Sequence, residues 1–484
     1  LLLLRRKISV TVVGVINMKD FLRSVGIAVV AILIGLAYNH AVRACGSTNF
    51  ASCNFWVASS GGSDSNPGTS VGLPFATISH TQTVLQAQTN AITSRTACLI
   101  TGTYNFAGAN WSFTSADSNE RWLPYSGQGL VIIDGGSSGT TNTNQVLING
   151  VTGLVLEGLV FQNWSTAHVR TGTLDTIMLI TNGTGQTIRW NSFLNSWGFS
   201  IGANGLASSS ITSNTFNGQQ TGAPNGATAA YNDINLYGGA HDNTISHNLL
   251  ENGQCGGIAS ADAGNNNIYD RNLLVNDLIG CFDNGTLYML NRNATDTGNQ
   301  ITNNVVRGNI PNAGTIKTVY LDDSMSNVLV QGNICSHCGD YFMQYHAGQN
   351  NVVKNNIIDA SSIGTGMNLY QSGGVGTQTG MGGNTFTNNI IYTSGNFPTL
   401  WIGNTTGVTF PTVTNNDYWS VTGATANTSA GPPGSPDSNP QTQNPLFGNP
   451  SANNYVIGGG SLVLSAPVSF PVLPTDQGPV AYAP

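Results

Sequence analysis

One short hydrophobic–polar pattern recurs along the second half of the chain. An apolar residue is followed by two or three variable residues, then an Asn, then another apolar run. It reads IRWNSF, ITSNTF, ISHNLL, IYDRNLL, ITNNVV, VQGNIC, VKNNII, FTNNII and VTNNDY. Anchored on Asn191, Asn214, Asn248, Asn272, Asn304, Asn333, Asn356, Asn389 and Asn416, the steps are 23, 34, 24, 32, 29, 23, 33 and 27 residues. A base period near 23 residues with inserts of up to 11 describes a solenoid of short strands carrying extended loops. Strands of three to five residues cannot bury a face alone. Stacked coils can, and an Asn at a shared corner can hydrogen-bond its own copy one coil away. The pattern therefore predicts an all-β, single-stranded right-handed parallel β-helix.

The rest of the chain fits this plan. VLINGVTGLVLEGLVFQN, from Val146 to Asn163, holds two short alternating strands around a Gly corner. Phe75 to Gln88 has helix-compatible spacing and precedes the strand CLITGTY, so a short helix is expected to cover the N-terminal end of the stack. From about Gly431 the chain turns Pro-rich and poorly periodic, as an irregular C-terminal cap would. Residues 1–17 precede the first Met and read as upstream translation. Residues 18–44 read as a signal peptide: basic positions from Lys19 to Arg23, an apolar run from Val25 to Ala37, and Val42 and Ala44 before Cys45. That run is too short for a membrane span. The β-helix then occupies 45–460 and a tail 461–484. The expected location is secreted, periplasmic or cell-surface, with lipidation at Cys45 the lesser alternative because Arg43 fits a lipoprotein site poorly.

Composition narrows the partner. Only 8% of the 484 residues are charged, Gly numbers 60, and the formal net charge is −7. This leaves little material for solvated helix faces, and no basic groove for nucleic acid. Seven Cys is an odd count for an oxidising compartment. Cys45 with Cys53 and Cys255 with Cys281 are candidate disulfides. Cys335 and Cys338 flank His337 in CSHC, which reads as a turn cystine or buried thiols rather than a metal or redox pair, because no second ligand pair exists.

Carboxylates are the candidate chemistry. Glu is confined to Glu120, Glu157 and Glu251, so Asp must serve. Asp283 lies in CFDNGTLY, and Asp322 and Asp323 in TVYLDDSMSN. Asp283 falls 11 residues after Asn272; removing an insert of about 6 residues at Pro311 to Ile316 puts Asp322 about 12 after Asn304. The two are then expected on one face of successive coils, roughly 4.8 Å apart. That spacing leans towards the retaining geometry of glycosidases. Alternation points Val319 and Leu321 inward and Tyr320 and Asp322 outward. The same counting sets Tyr345 beside Asp322 and His346 beside Asp323, with Tyr370 continuing the row. Outward tyrosines beside paired carboxylates suit a sugar platform. Arg292, four residues after Tyr288, is within reach of a substrate there. Glu157 is expected to face solvent.

The opening NFWVASSGGSDSNPGTSVGLPFATI resembles that of many secreted bacterial β-helix proteins, and the Asn-corner coils resemble those of pectate lyases, polysaccharide epimerases and several glycosidase families. The two Asp segments resemble glycoside hydrolase family 141, parallel β-helix enzymes that include α-L-fucosidases and xylanases. The matching residues are Asp283-Asn284-Gly285-Thr286-Leu287-Tyr288, then Tyr320-Leu321-Asp322-Asp323, then the corner Gly332-Asn333. The chain is shorter than typical members and shows no extra β-sandwich. The resemblance implies a secreted glycoside hydrolase acting on polysaccharide or oligosaccharide, without a cofactor or metal. A polysaccharide lyase is the nearest rival; mature Lys is limited to Lys317 and Lys354, so it would need Ca²⁺ bridged by Asp262, Asp283 or Asp322. A non-catalytic glycan-binding or adhesive solenoid is the second. A capped solenoid is expected to be monomeric.

Overall fold

The computed structural model describes residues 52–461 apart from 107, 126–128, 137–144, 165–175, 195–197, 218–231, 254–255, 277–283, 293–294, 310–316, 339–340, 363–364, 371–379, 398, 404–408, 426–436 and 460. The expected upstream segment, signal peptide, 310–316 insert and C-terminal tail after Ser461 all lie outside the described residues. So do the Cys255 and Cys281 pairing and the side chains of His337 and Cys338.

Short strands stack into three parallel sheets of 13, 11 and 12 strands, and each strand pairs with its counterpart one coil away. This is the parallel β-helix that the repeat predicts. Inward residues of each sheet meet in one continuous core, in which like stacks on like: the rings of Phe161, Phe193 and Phe216 stack at 5.1 and 4.9 Å. A helix, Ile78–Gln86, covers the first coil with Ile78, Thr81 and Leu85 buried. Its start is fixed by Thr77, whose side chain accepts the His80 amide.

The corner asparagines form a continuous ladder. In Asn304, both the main-chain N–H and Nδ2 donate to Asn333 Oδ1, at 2.9 and 3.0 Å, and Nδ2 also reaches the Tyr269 carbonyl. Its own Oδ1 accepts the same two donors from Asn272. The arrangement repeats from Asn191 to Asn416, where Asp437 takes the place of the next Asn. The residue before each ladder Asn is left-handed, with φ of 53–58° at Trp190, Ser213, His247, Arg271, Asn303, Asn355, Asn388 and Asn415. That turn re-aims the chain between two sheets, and Asn tolerates it better than most residues. A second, unforeseen ladder runs five residues earlier through Ser209, Asn243, Asn267 and Asn299, and again from Asn351 to Asn384.

Two expectations need correction. Cys53 is bonded to Cys98 rather than Cys45, which ties the first strand to the start of the second coil. Cys335 is also disulfide-bonded, its partner lying outside the described side chains. Glu157 does not face solvent: it is 2% exposed and held between Arg121 and Arg189 at 3.0 and 2.8 Å. The two guanidinium groups offset the cost of covering that carboxylate.

After Asp437 the chain does more than cap the last coil. Phe447, Tyr455 and Ile457 return over the outer face of the 12-stranded sheet, covering the apolar row Leu273, Val305, Ile334, Ile357 and Ile390. The Tyr455 hydroxyl donates to Asp359 at 2.5 Å and lies 3.0 Å from the Ser336 hydroxyl.

Two stability predictions follow from this frame. Asn304→Ala leaves buried donors of Asn272 and the Tyr269 carbonyl without partners, so urea unfolding should show a loss of about 3–5 kcal/mol; a loss near that of an exposed loop Asn would refute the ladder's role. Glu120 is fully buried, and burial together with nearby Asp117 pushes its carboxyl up to about 9. The unfolded chain ionises near 4.5, so this group withdraws stability as pH rises from there towards 9. Glu120→Gln, which keeps an acceptor for the Trp122 indole N–H, should flatten the stability-versus-pH curve over that window.

Candidate active site

The site lies on the outer face of the 11-stranded sheet, where strands Gly285–Leu290, Lys317–Asp322 and Tyr341–His346 run side by side. Leu287, Met289, Val319 and Leu321 fill the core, so alternation turns Tyr288, Tyr320 and Asp322 outward as expected. Register places Leu290 beside Asp322 and Tyr288 beside Tyr320. On the following coil, Leu321 pairs with Tyr345, which sets His346 beside Asp322.

Asp322 is the hub. The Tyr288 hydroxyl donates to its Oδ2 at 2.7 Å, and His346 Nδ1 lies 2.6 Å from its Oδ1. The strand ends there, and Asp323 takes a left-handed turn with φ of 39° that brings its carboxylate to the same histidine, 3.3 Å from Nδ1. Arg292 Nε lies 3.5 Å from the far oxygen of Asp323, while its NH1 holds Asp262 at 2.5 Å. The Lys317 ammonium sits 4.5 Å above the Tyr320 ring, which meets Tyr288 edge-on. Asp322, Asp323 and His346 are all under 10% exposed.

Burial alone would raise the Asp322 carboxyl. The hydrogen bonds from His346, Tyr288 and Tyr320, with the charge of His346, outweigh it and hold the group below the ordinary carboxylate range. Asp296, in the loop after Gly285–Leu290, behaves in the opposite sense: burial and the neighbouring Asp262 push it up to about 6. The sequence carried no signal for Asp296, since a lone Asp in a polar loop has no pattern around it.

One oxygen from each aspartate and a His346 nitrogen lie within 4.8 Å of one another, a set that could ligate a metal ion. As arranged, the ring nitrogen and the Asp322 carboxylate instead share a hydrogen bond. The helices of the described residues include none long and apolar enough to cross a membrane.

The expected residues divide clearly. Asp322, Asp323, His346, Tyr288, Tyr320 and Arg292 come together. Asp283 and the Tyr370 side chain lie outside the described residues. The counting that set residue 283 level with Asp322 is corrected by the register, because Asn272 to Leu290 and Asn304 to Asp322 are both 18 residues. Tyr345 is no platform residue: it is fully buried in the core, and among the described residues its hydroxyl has no partner. The expected register was one residue out.

No family model and no curated protein matches the chain. Solved structures do. XylC in complex with xylose aligns with a TM-score of 0.51 at 11% identity, over 81% of this chain and 87% of that one. A rhamnogalacturonan lyase aligns at 0.49 and 13% identity, over 68% and 84%. A GH87 α-1,3-glucanase catalytic domain in complex with nigerose aligns at 0.48 and 13%, over 76% and 70%. At these identities the likeness is one of fold.

Two outcomes check the geometry. Tyr345→Phe removes an unpaired buried hydroxyl and should leave stability unchanged or raise it by about 1 kcal/mol, whereas a loss would show a partner for that oxygen. Asp322 contributes stability that is present above its unfolded pKa near 3.8 and is lost as pH falls through the lower folded value. His346→Gln weakens the contact that depresses it, so the Asp322 carboxyl should titrate at higher pH in a ¹³C NMR titration. An unmoved titration would mean that His346 does not act on Asp322.

Proposed function

We propose that the chain is a carbohydrate-active enzyme, a glycoside hydrolase, with Asp322 and Asp323 as its working carboxylates. The observation that carries this reading is their shared contact with His346 on the outer face of the sheet, flanked by Tyr288 and Tyr320. Asp322, held ionised, is the group suited to attack or to stabilise an oxocarbenium-like centre. Asp323 is the acid. Oxygens within 4.8 Å of one another favour a retaining course over an inverting one, which needs carboxyl groups about 6.5–9.5 Å apart. The resemblance to glycoside hydrolase family 141 points the same way, as does the fold shared with XylC, a protein seen with xylose. A lyase needs a cation free to meet a uronate carboxylate. Arg292 already has Asp262 on one side and Asp323 on the other, which argues against that rival.

The test is turnover on a panel of neutral and uronate polysaccharides, following reducing ends together with the ultraviolet absorbance of an unsaturated product. Reducing ends without absorbance are expected, with retained anomeric configuration by NMR. Asp322→Asn and Asp323→Asn should each reduce kcat by about 10²–10⁴-fold while far-ultraviolet circular dichroism stays unchanged. Absorbance that rises with the reducing ends would make the protein a lyase. Full activity in both variants would remove the pair from the chemistry.

A further inference from the structure

Three polar side chains follow one another just beyond the ends of successive strands of the 11-stranded sheet. Register pairs Ala261 with Leu290 and Leu290 with Asp322, so Asp262, Asn291 and Asp323 hold equivalent positions on three coils. Asp262 and Asp323 are both left-handed there, with φ of 49° and 39°. Asp accepts that conformation more readily than most residues. The two aspartates are two coils apart, roughly 10 Å at the usual strand spacing. Arg292, which follows Asn291 on the coil between them, spans that distance.

Asp262 grips Arg292 at two points. Its Oδ1 accepts the Arg292 main-chain N–H at 3.1 Å, and its Oδ2 accepts Nη1 at 2.5 Å. The first contact fixes where the arginine side chain starts and the second fixes its tip. Nε is thereby set 3.5 Å from Asp323 Oδ2, while Asp323 Oδ1 lies 3.3 Å from His346 Nδ1. The Asp323 carboxylate is held from both ends. The side chains of Arg292 and Asp262 are 40% and 38% exposed, against 10% for Asp323. An ion pair so open to solvent does little for stability. It can still aim, because the donors of a guanidinium lie in one fixed plane and holding one orients the others.

We propose that Asp262 is a positioning residue for the proposed hydrolysis, acting through Arg292 to hold the Asp323 carboxylate against His346. This role in turnover rests on the hydrolase reading; the linkage from Asp262 through Arg292 to Asp323 does not. A working group displaced by about 1 Å loses about 100-fold in rate, so a residue two coils away from Asp323 can matter to turnover while contributing little to stability.

The test is steady-state kinetics of the full chain on whichever glycan of the panel it turns over. Asp262→Asn keeps the size of the side chain and tolerates the left-handed turn. It should lower kcat about 10- to 100-fold, with KM within about 2-fold and Tm within about 2 °C of the unaltered chain. Asp262→Glu, which restores the charge, should recover kcat to within about 5-fold. Arg292→Gln should cost as much as Asp262→Asn, and combining the two should cost no more than about 2-fold further, because both break one linkage. Unchanged kcat in Asp262→Asn, losses that multiply in the double variant, or a loss carried by KM would each overturn the assignment, the last by showing that the pair binds substrate instead of aiming Asp323. A second readout needs no turnover. The Arg292 Nε–H signal, identified by its absence in Arg292→Gln, should shift in ¹H–¹⁵N spectra of both Asp262→Asn and Asp323→Asn. A chain without turnover that shows both shifts would lose the hydrolase reading and keep the linkage. An unmoved signal in Asp262→Asn would remove the linkage in an active chain and an inactive one alike.

Discussion

The hydrogen bond that each corner asparagine makes to the next is the constraint on which the rest of the molecule depends. It fixes one residue per coil at one place in space, and every other position is then counted from it. Because the strands are parallel and in register, a side chain's neighbours are its counterparts one coil before and after. Core positions become columns of similar size, such as the stacked phenylalanines. Outward positions become rows, and a row of Tyr, Asp and His is a site. The ladder thus acts at a distance: a polar bond at a corner determines which side chains meet on a face it never touches.

Much of this was legible in the sequence because it repeats. The fold, the ladder, the capping helix and the outward direction of Tyr320 and Asp322 all follow from period and alternation. What was missed did not repeat, or repeated unnoticed. The second ladder stands at Asn243, Asn267, Asn299, Asn351 and Asn384, each five residues before a corner Asn, and that spacing was visible throughout. The placement of residue 283 and Tyr345 depended on where inserts fall within a coil. A step length gives an insert's size but not its position. Cys53 with Cys98 is set by the stacking of the first two strands, which no local spacing reveals. Glu157 pairs with arginines on the coils either side of its own, so its partners are remote in sequence and adjacent in space.

The same frame explains why charge is concentrated where it is. With only 8% charged residues, most outward positions carry Asn, Ser or Thr, which bond along the stack without counter-ions. Several charged groups meet in pairs or triads: Glu157 with two arginines, Arg292 between Asp262 and Asp323, Asp322 with His346.

The segment that returns over the 12-stranded sheet has a consequence for how the protein comes into being. Tyr455 and Asn453 meet Ser336 and Asp359 across 96 to 119 residues of chain, so these contacts exist only after the final coil has been synthesised. Coils can stack one by one as the chain emerges, each templated by the last. The apolar row from Leu273 to Ile390 nevertheless stays bare throughout that growth and is closed at the end by a single strap. A nascent chain halted before residue 447 would display five large aliphatic side chains in a line at strand spacing, a surface that invites another unfinished copy. Synthesis of this strap, rather than completion of the coils, is the event that covers the row.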